Sequence, residues 1–183
     1  MTTGREAVRR ALEDAGTPRE IRTFATAVPS AAAAAEQLGC AVGAIANSLV
    51  FTAGDGVVLV LASGAHRVDP GRVAAHLEVA KRRVRRADPD TVERATGQRV
   101  GGVAPVGHPA TLPCLVDVAL TAYPTVWAGA GDEHSMFPTT AAELVALTSG
   151  TLLEVAADRA GGFSDVQRQR GRQADGPPGV SER

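Results

Sequence analysis

Ser48-Leu49-Val50-Phe51 and Val57-Val58-Leu59-Val60-Leu61, separated by Gly54-Asp55-Gly56, decide the fold class. Both runs are apolar and β-branched, as buried strands are, and the glycines supply the positive φ that a tight reversal needs. The stretch therefore reads as an antiparallel hairpin. Upstream, Val8, Ala11, Leu12 and Ala15 recur at helical spacing. Ile21 to Ala25 alternates as a short strand, and the alanine-rich run 31–38 is a helix capped by Ser30 and stopped by Gly39. Downstream, Asp69-Pro70 and Asp88-Pro89 each place a capping carboxylate before a proline at the first helical position. Lys81 to Arg86 reads as a short basic edge strand, Thr96 to Ala110 as a structured loop, and Leu112 to Leu120 and Thr125 to Ala128 as strands. Thr140-Ala-Ala-Glu143 is a capping box that opens a last helix. Helices that interleave with strands, together with one hairpin, predict a single α/β domain with a mixed β-sheet flanked by helices. The domain is expected over residues 1–157, followed by a disordered C-terminal tail over 158–183.

Composition narrows the function classes. The chain has 183 residues and a net charge of -1, so any contact with nucleic acid must be local and not a basic coat. Aromatic residues are 3 % of the chain, too few for a stacked-base platform. Lys81 is the sole lysine, which leaves lysine chemistry one candidate. Cys40 and Cys114 are far apart and outside any CxxC, so neither a disulfide framework nor a zinc ribbon is expected. No apolar run has the length of a spanning segment and no signal peptide opens the chain, so a cytoplasmic protein with no membrane partner is expected.

Most catalytic signatures are missing. His66, His76, His108 and His134 show no metal-binding spacing, so no metal site is expected, and no serine has the GxSxG context of a hydrolase elbow. The loop Gly101-Gly102-Val103-Ala104-Pro105-Val106-Gly107-His108 fits neither GxGxxG nor a P-loop. Glycines there either serve a tight connection or turn successive backbone N–H groups toward one point, where an anion or developing oxyanion can sit. Asp117, a lone carboxylate in an apolar strand, needs a partner, and a structural hydrogen bond to loop backbone is the favoured reading over a catalytic one.

Asn47-Ser48-Leu49-Val50-Phe51, Ser63-Gly64-Ala65-His66-Arg67-Val68-Asp69, Thr96-Gly97, the GxxxP loop Gly101 to Pro105 with Gly107, Asp117 and Ala128-Gly129 occur in the order and spacing of a known family. The sequence resembles the YbaK/ProRS-associated editing domain family over roughly residues 31–155. The resemblance implies a mixed-sheet α/β enzyme that acts in trans on mischarged aminoacyl-tRNA. Its substrate would be the aminoacylated 3' end with a small amino acid moiety, and no cofactor is implied. It further implies that Gly101, Gly102 and Asn47 serve catalysis, that Ser48, Val103, Ala104, Pro105, His134 and His66 contact substrate, and that a ribose hydroxyl helps activate water. Well-known members carry lysine where this chain has Asn47, a residue that hydrogen-bonds but brings no charge. The alternative reading is a non-catalytic binding module for aminoacyl-tRNA or a small aminoacyl or nucleotide ligand. Arg67, Arg82, Arg83, Arg85 and Arg86 are the expected phosphate contacts.

Overall fold

The hairpin forms the middle of one mixed sheet. In the computed structural model, which describes residues 4–157, β2 (Ile45–Ala53) and β3 (Gly56–Ser63) pair antiparallel from Ala46 opposite Ser63 to Ala53 opposite Gly56. Gly54 takes a φ of 63° at the reversal. From Val58 onward β3 is buried on both faces, which is why its sequence reads as a continuous apolar run without alternation. The tail expected over 158–183 lies outside the described residues.

The other strands add on either side. β5 (Cys114–Asp117) runs parallel to β3, and β8 (Thr151–Leu153) runs parallel to β5. On the far side of β2 lie β6 (Val126–Gly129), which is parallel to it, then β7 (Ser135–Thr139) and the two-residue β1 (Arg22–Thr23), each antiparallel to its neighbour. The sheet order is β1-β7-β6-β2-β3-β5-β8, and a short strand β4 (Val84–Arg86) pairs separately with the end of β2. Among the described residues five α-helices flank this sheet, the mixed α/β architecture predicted from the hairpin and its interleaved helices.

Helix starts follow their caps. In α2 (Ala31–Leu38) the Ser30 side chain accepts the Ala33 N–H, and Gly39 closes the helix in a left-handed conformation. Asp69 and Asp88 cap α3 (Pro70–His76) and α4 (Pro89–Thr96), each with proline inside the first turn. Thr140 and Glu143 form the capping box of α5 (Ala141–Thr148). One face of the sheet packs α1 (Gly4–Asp14) with α4 and α5 around Val8, Leu12, Val92, Leu144 and Phe137. The opposite face carries α3 over Phe51, Val58 and Val60, and α2 over Ile45 and Met136.

Several boundaries differ from the sequence reading. The Ile21 to Ala25 strand shrinks to Arg22 and Thr23. In the basic segment, Lys81–Arg83 is a 3₁₀ turn and only Val84–Arg86 pairs. The strand expected to reach Leu120 ends at Asp117, whose carboxylate accepts the Ala119 N–H and starts a 3₁₀ turn over Val118–Ala122. β7 and β8 are additional to the elements read from sequence. β7 tolerates Pro138 because β1 covers only Ser135 and Met136, so no strand lies outside Pro138 to need its N–H.

Phe137 is among the largest side chains with no exposure, where both helical and strand elements close over it. Phe137→Ala is expected to cost about 3–5 kcal/mol, since the cavity left behind collapses only in part. Urea unfolding monitored by circular dichroism measures this. A loss below about 1 kcal/mol would remove Phe137 from the core.

Candidate active site

The site begins with an interruption in hydrogen bonding. On the side away from β3, β2 pairs with β6 at Ile45 and Ala46 and with β4 from Phe51 to Ala53, leaving Asn47 to Val50 between the two partners. The Val50 carbonyl accepts the Ala87 N–H at 3.0 Å. Strand alternation turns the Ser48 peptide groups to that same side, where no strand meets them. A cavity of about 330 Å³ opens there, walled by the start of α2, by β2 from Ile45 to Val50, by Arg86, by Val100, Gly101 and Val103, and by Gly129, Asp132 and Ser135. The Ser48 hydroxyl oxygen is buried against this cavity with no hydrogen-bond partner. A buried hydroxyl left unsatisfied costs about 1–3 kcal/mol, and such orphans in native structures call for an explanation.

The glycine loop forms the facing wall, and a single buried side chain braces it. Gln98 Oε1 accepts the Ala104 N–H at 2.7 Å while Gln98 Nε2 donates to the Val106 carbonyl at 3.1 Å. His108 Nε2 lies 2.9 Å from the Ala104 carbonyl, which makes that nitrogen the protonated one, and burial pushes the His108 pKa down. Gly101 sits at φ 96° with open space where a Cβ would be. At Gly102 a Cβ would lie 2.6 Å from the Asp132 Cα, so only glycine lets the two backbones approach. The Gly102 N–H donates to the Arg99 carbonyl at 3.0 Å. Gly101 and Val103 line the cavity, and among the described residues neither N–H has a hydrogen-bond partner.

Asp132 supplies the acidic corner. Its Oδ1 accepts the His134 N–H at 2.9 Å and the Ser135 hydroxyl at 2.5 Å, and its Oδ2 pairs with Arg5 of α1 at 2.8 Å. Burial pulls its carboxyl upward, but the Ser135 hydroxyl, the His134 N–H and Arg5 outweigh that and hold it below the usual carboxylate range. The backbone of α1 also lies directly against Gly107 and Gly131, so the first helix backs both loops of the site.

Of the residues singled out from sequence, Asn47, Ser48, Gly101 and Val103 meet at the cavity. Gly102 lies behind it, its amide turned inward. Ala104 is fully buried and spends its N–H on Gln98, while Pro105 faces a second cavity of about 250 Å³ on the other side of the loop. His134 does not reach the cavity: the Asp132 turn points its ring outward, 3.7 Å from Glu133. His66 is likewise elsewhere, with Nδ1 2.9 Å from Asp117 Oδ2. Asp117 is buried and also accepts the Ser63 and Ala119 N–H groups at 3.0 Å each, the structural role favoured from sequence. With Glu154 these two present ligand atoms within 4.8 Å of one another, but the Asp117 oxygens are already engaged by hydrogen bonds. Sequence reasoning missed Gln98 and Asp132. Gly131-Asp132 carries the signature of an Asx turn, whereas nothing in the sequence marks Gln98 as a brace.

Comparison with known proteins places this geometry. Residues 25–147 match the family model of the aminoacyl-tRNA editing domain. The uncharacterized protein YwhH of Bacillus subtilis (strain 168) is 30% identical over 126 residues, which span 68% of this chain and 78% of that protein. A crystal structure described as that of a candidate trans-editing enzyme for prolyl tRNA synthetase superposes with a TM-score of 0.80 at 34% identity, covering 86% of this chain and 99% of that one. The hypothetical protein APE2540 superposes with a TM-score of 0.76 at 26% identity over 83% of this chain and all of its own.

The Asp132 cluster gives the stability a pH dependence of known sign. A carboxyl with a depressed native pKa contributes stability that is full above its unfolded value, about 3.9, and is lost as pH falls through the lower native value. Thermal melts of Asp132→Asn and the parent protein are therefore expected to differ at pH 6 and to converge as pH drops below about 4. A difference that stays constant across that range would exclude Asp132 as the titrating group.

Proposed function

The chain belongs to the aminoacyl-tRNA editing domain family, and on that premise we propose that the cavity beside β2 is the active site of a deacylase. It acts in trans to hydrolyse the ester between a small, wrongly attached amino acid and the terminal ribose of tRNA. Proline tRNA is the proposed carrier, by similarity to the structure described as a trans-editing enzyme for prolyl tRNA synthetase. The observation that carries this reading is the buried, unpartnered Ser48 hydroxyl, beside peptide groups that no strand satisfies and opposite a loop with two free N–H donors.

Ester hydrolysis needs three things here: a place for the carbonyl, stabilisation of the oxyanion and a way to activate water. Gly101 and Val103 supply preorganised N–H donors on the wall facing β2. One such donor aimed at a developing oxyanion contributes about 3–4 kcal/mol to the barrier. Asn47 and Ser48 orient the ester and terminal sugar through neutral hydrogen bonds, since neither carries charge. The titratable side chains lining the cavity are Asp132 and Arg86. Asp132 is committed to Arg5 and Ser135, so no wall residue is a free general base, and water activation falls to a hydroxyl of the substrate ribose. Water adds to the carbonyl carbon, the tetrahedral intermediate collapses, and the ribose oxygen leaves with a proton. A cavity of about 330 Å³ admits a small side chain. Discrimination by size alone yields only about 1–3 kcal/mol per methylene, so selectivity also draws on tRNA contacts. Arg82, Arg83 and Arg85 lie exposed on the segment that leads to the cavity and supply such contacts.

Purified protein offered proline tRNA charged with Ala, Ser, Cys or Pro is expected to release one small amino acid faster than the buffer-only decay. Ser48→Ala is expected to lower kcat/KM roughly five- to tenfold, the loss of about one hydrogen bond, and Asn47→Ala to lower turnover as well. Uniform baseline decay from a folded sample would replace the deacylase with a non-catalytic binding module. Separately, tRNA binding is expected to weaken as salt rises, and salt-independent affinity would remove the arginines from the interface.

A further inference from the structure

Arg86 is the cationic side chain among those lining the cavity. It is the last residue of β4, opposite Phe51 of β2, and its guanidinium lies 5.4 Å from the centroid of the Phe51 ring. Stacking on a ring face fixes the position of a guanidinium without using its N–H donors. Those donors are unspent: among the described residues no carboxylate pairs with Arg86 and no acceptor is hydrogen-bonded to it. Its neighbours lie outside the cavity wall: Arg83 pairs at the surface with Asp55 at 2.9 Å, and Arg85 donates to the Arg82 carbonyl at 3.2 Å. Arg86 is reached by solvent, yet enough protein surrounds the guanidinium for desolvation to lower its pKa.

Charge around the cavity is thus unbalanced at one end only. The Asp132 carboxylate is matched by Arg5, whereas the Arg86 cation has no counterpart. The two ends are well separated. Between Ala46, which pairs with Ala128, and Phe51, which pairs with Arg86, β2 advances five residues, about 16 Å. A substrate whose ester carbonyl faces Gly101 and Val103 extends along this gap, and its α-ammonium has the wrong sign for Arg86. The next anionic group along an acceptor end is the phosphodiester on the 5' side of the terminal adenosine. We propose that the guanidinium of Arg86 is the anion-binding group of this cavity and holds the phosphodiester between the last two nucleotides of the acceptor end. The assignment rests on the deacylase reading and names the part of the substrate met by the far end of the cavity.

Two minimal esters separate the possibilities: alanyl-adenosine, which has no phosphate, and the alanyl ester of cytidylyl-(3'→5')-adenosine, which has one. The protein is expected to prefer the dinucleotide ester, chiefly through a lower KM. Arg86→Met, which keeps the stem against Phe51, should reduce that preference at least tenfold, and Arg86→Lys should retain part of it, as a point charge without the two-pronged donor geometry. An undiminished preference in Arg86→Met, or no preference in the parent protein, would overturn the proposal. If the parent protein hydrolyses neither ester, the deacylase reading is judged on charged proline tRNA, where decay at the buffer-only rate refutes it. The anion site is then judged by direct binding of cytidylyl-(3'→5')-adenosine, where tighter binding by the parent than by Arg86→Met supports it and equal affinity refutes it.

Discussion

β2 shares one edge between two partners, and the candidate site is the space that sharing creates. Along its other edge β2 satisfies β3 continuously, but here β6 stops after Ala46 and β4 begins at Phe51. Peptide groups inside a sheet are ordinarily all spent on neighbours. The unspent ones around Ser48 are tolerable only where something else meets them, and the same place holds a buried hydroxyl in the same condition. Position follows from topology: the gap can exist only because β4 comes from the α3 side of the chain and β6 from beyond the glycine loop.

The opposing wall is held with equal economy. A glycine-rich loop held in one conformation is entropically costly, and Gln98 meets that cost by tying Ala104 and Val106 through one side-chain amide. Ala104 and Pro105 thus serve the loop from behind, and Gly101 and Val103 present it. A GxxxP pattern therefore combines residues with different duties. Part of it faces the cavity and part is the mounting.

Fold class was legible because its signals are local. Ser30 and Gly39, the two Asp-Pro pairs, the Thr140 capping box and the Gly54 reversal each fix an element through contacts a few residues away. β7 and β8 escaped because their existence depends on partners: a strand with Pro138 needs an unpaired side, and a three-residue strand needs β5 beside it. The site divided along the same line. The hairpin places Asn47 and Ser48 on a strand, and it is the family resemblance that sets them with the glycine loop, beside which the cavity lies. The resemblance sets His134 and His66 against substrate, but an Asx turn rotates one outward and a buried carboxylate engages the other. Side-chain direction at turns is set by such long-range partners, which periodicity does not reveal.

The contacts of α1 bear on where the functional unit begins. The family match starts at residue 25, yet Arg5 balances the Asp132 carboxylate and the helix backbone lies against Gly107 and Gly131. Val8 and Leu12 are also part of the core that contains Ala104. The region shared with the family as a sequence pattern is thus smaller than the region that works as a mechanical whole. A helix outside the recognisable span acts as a keystone for two loops inside it, so changes in α1 would be transmitted to substrate handling without touching any residue of the motif.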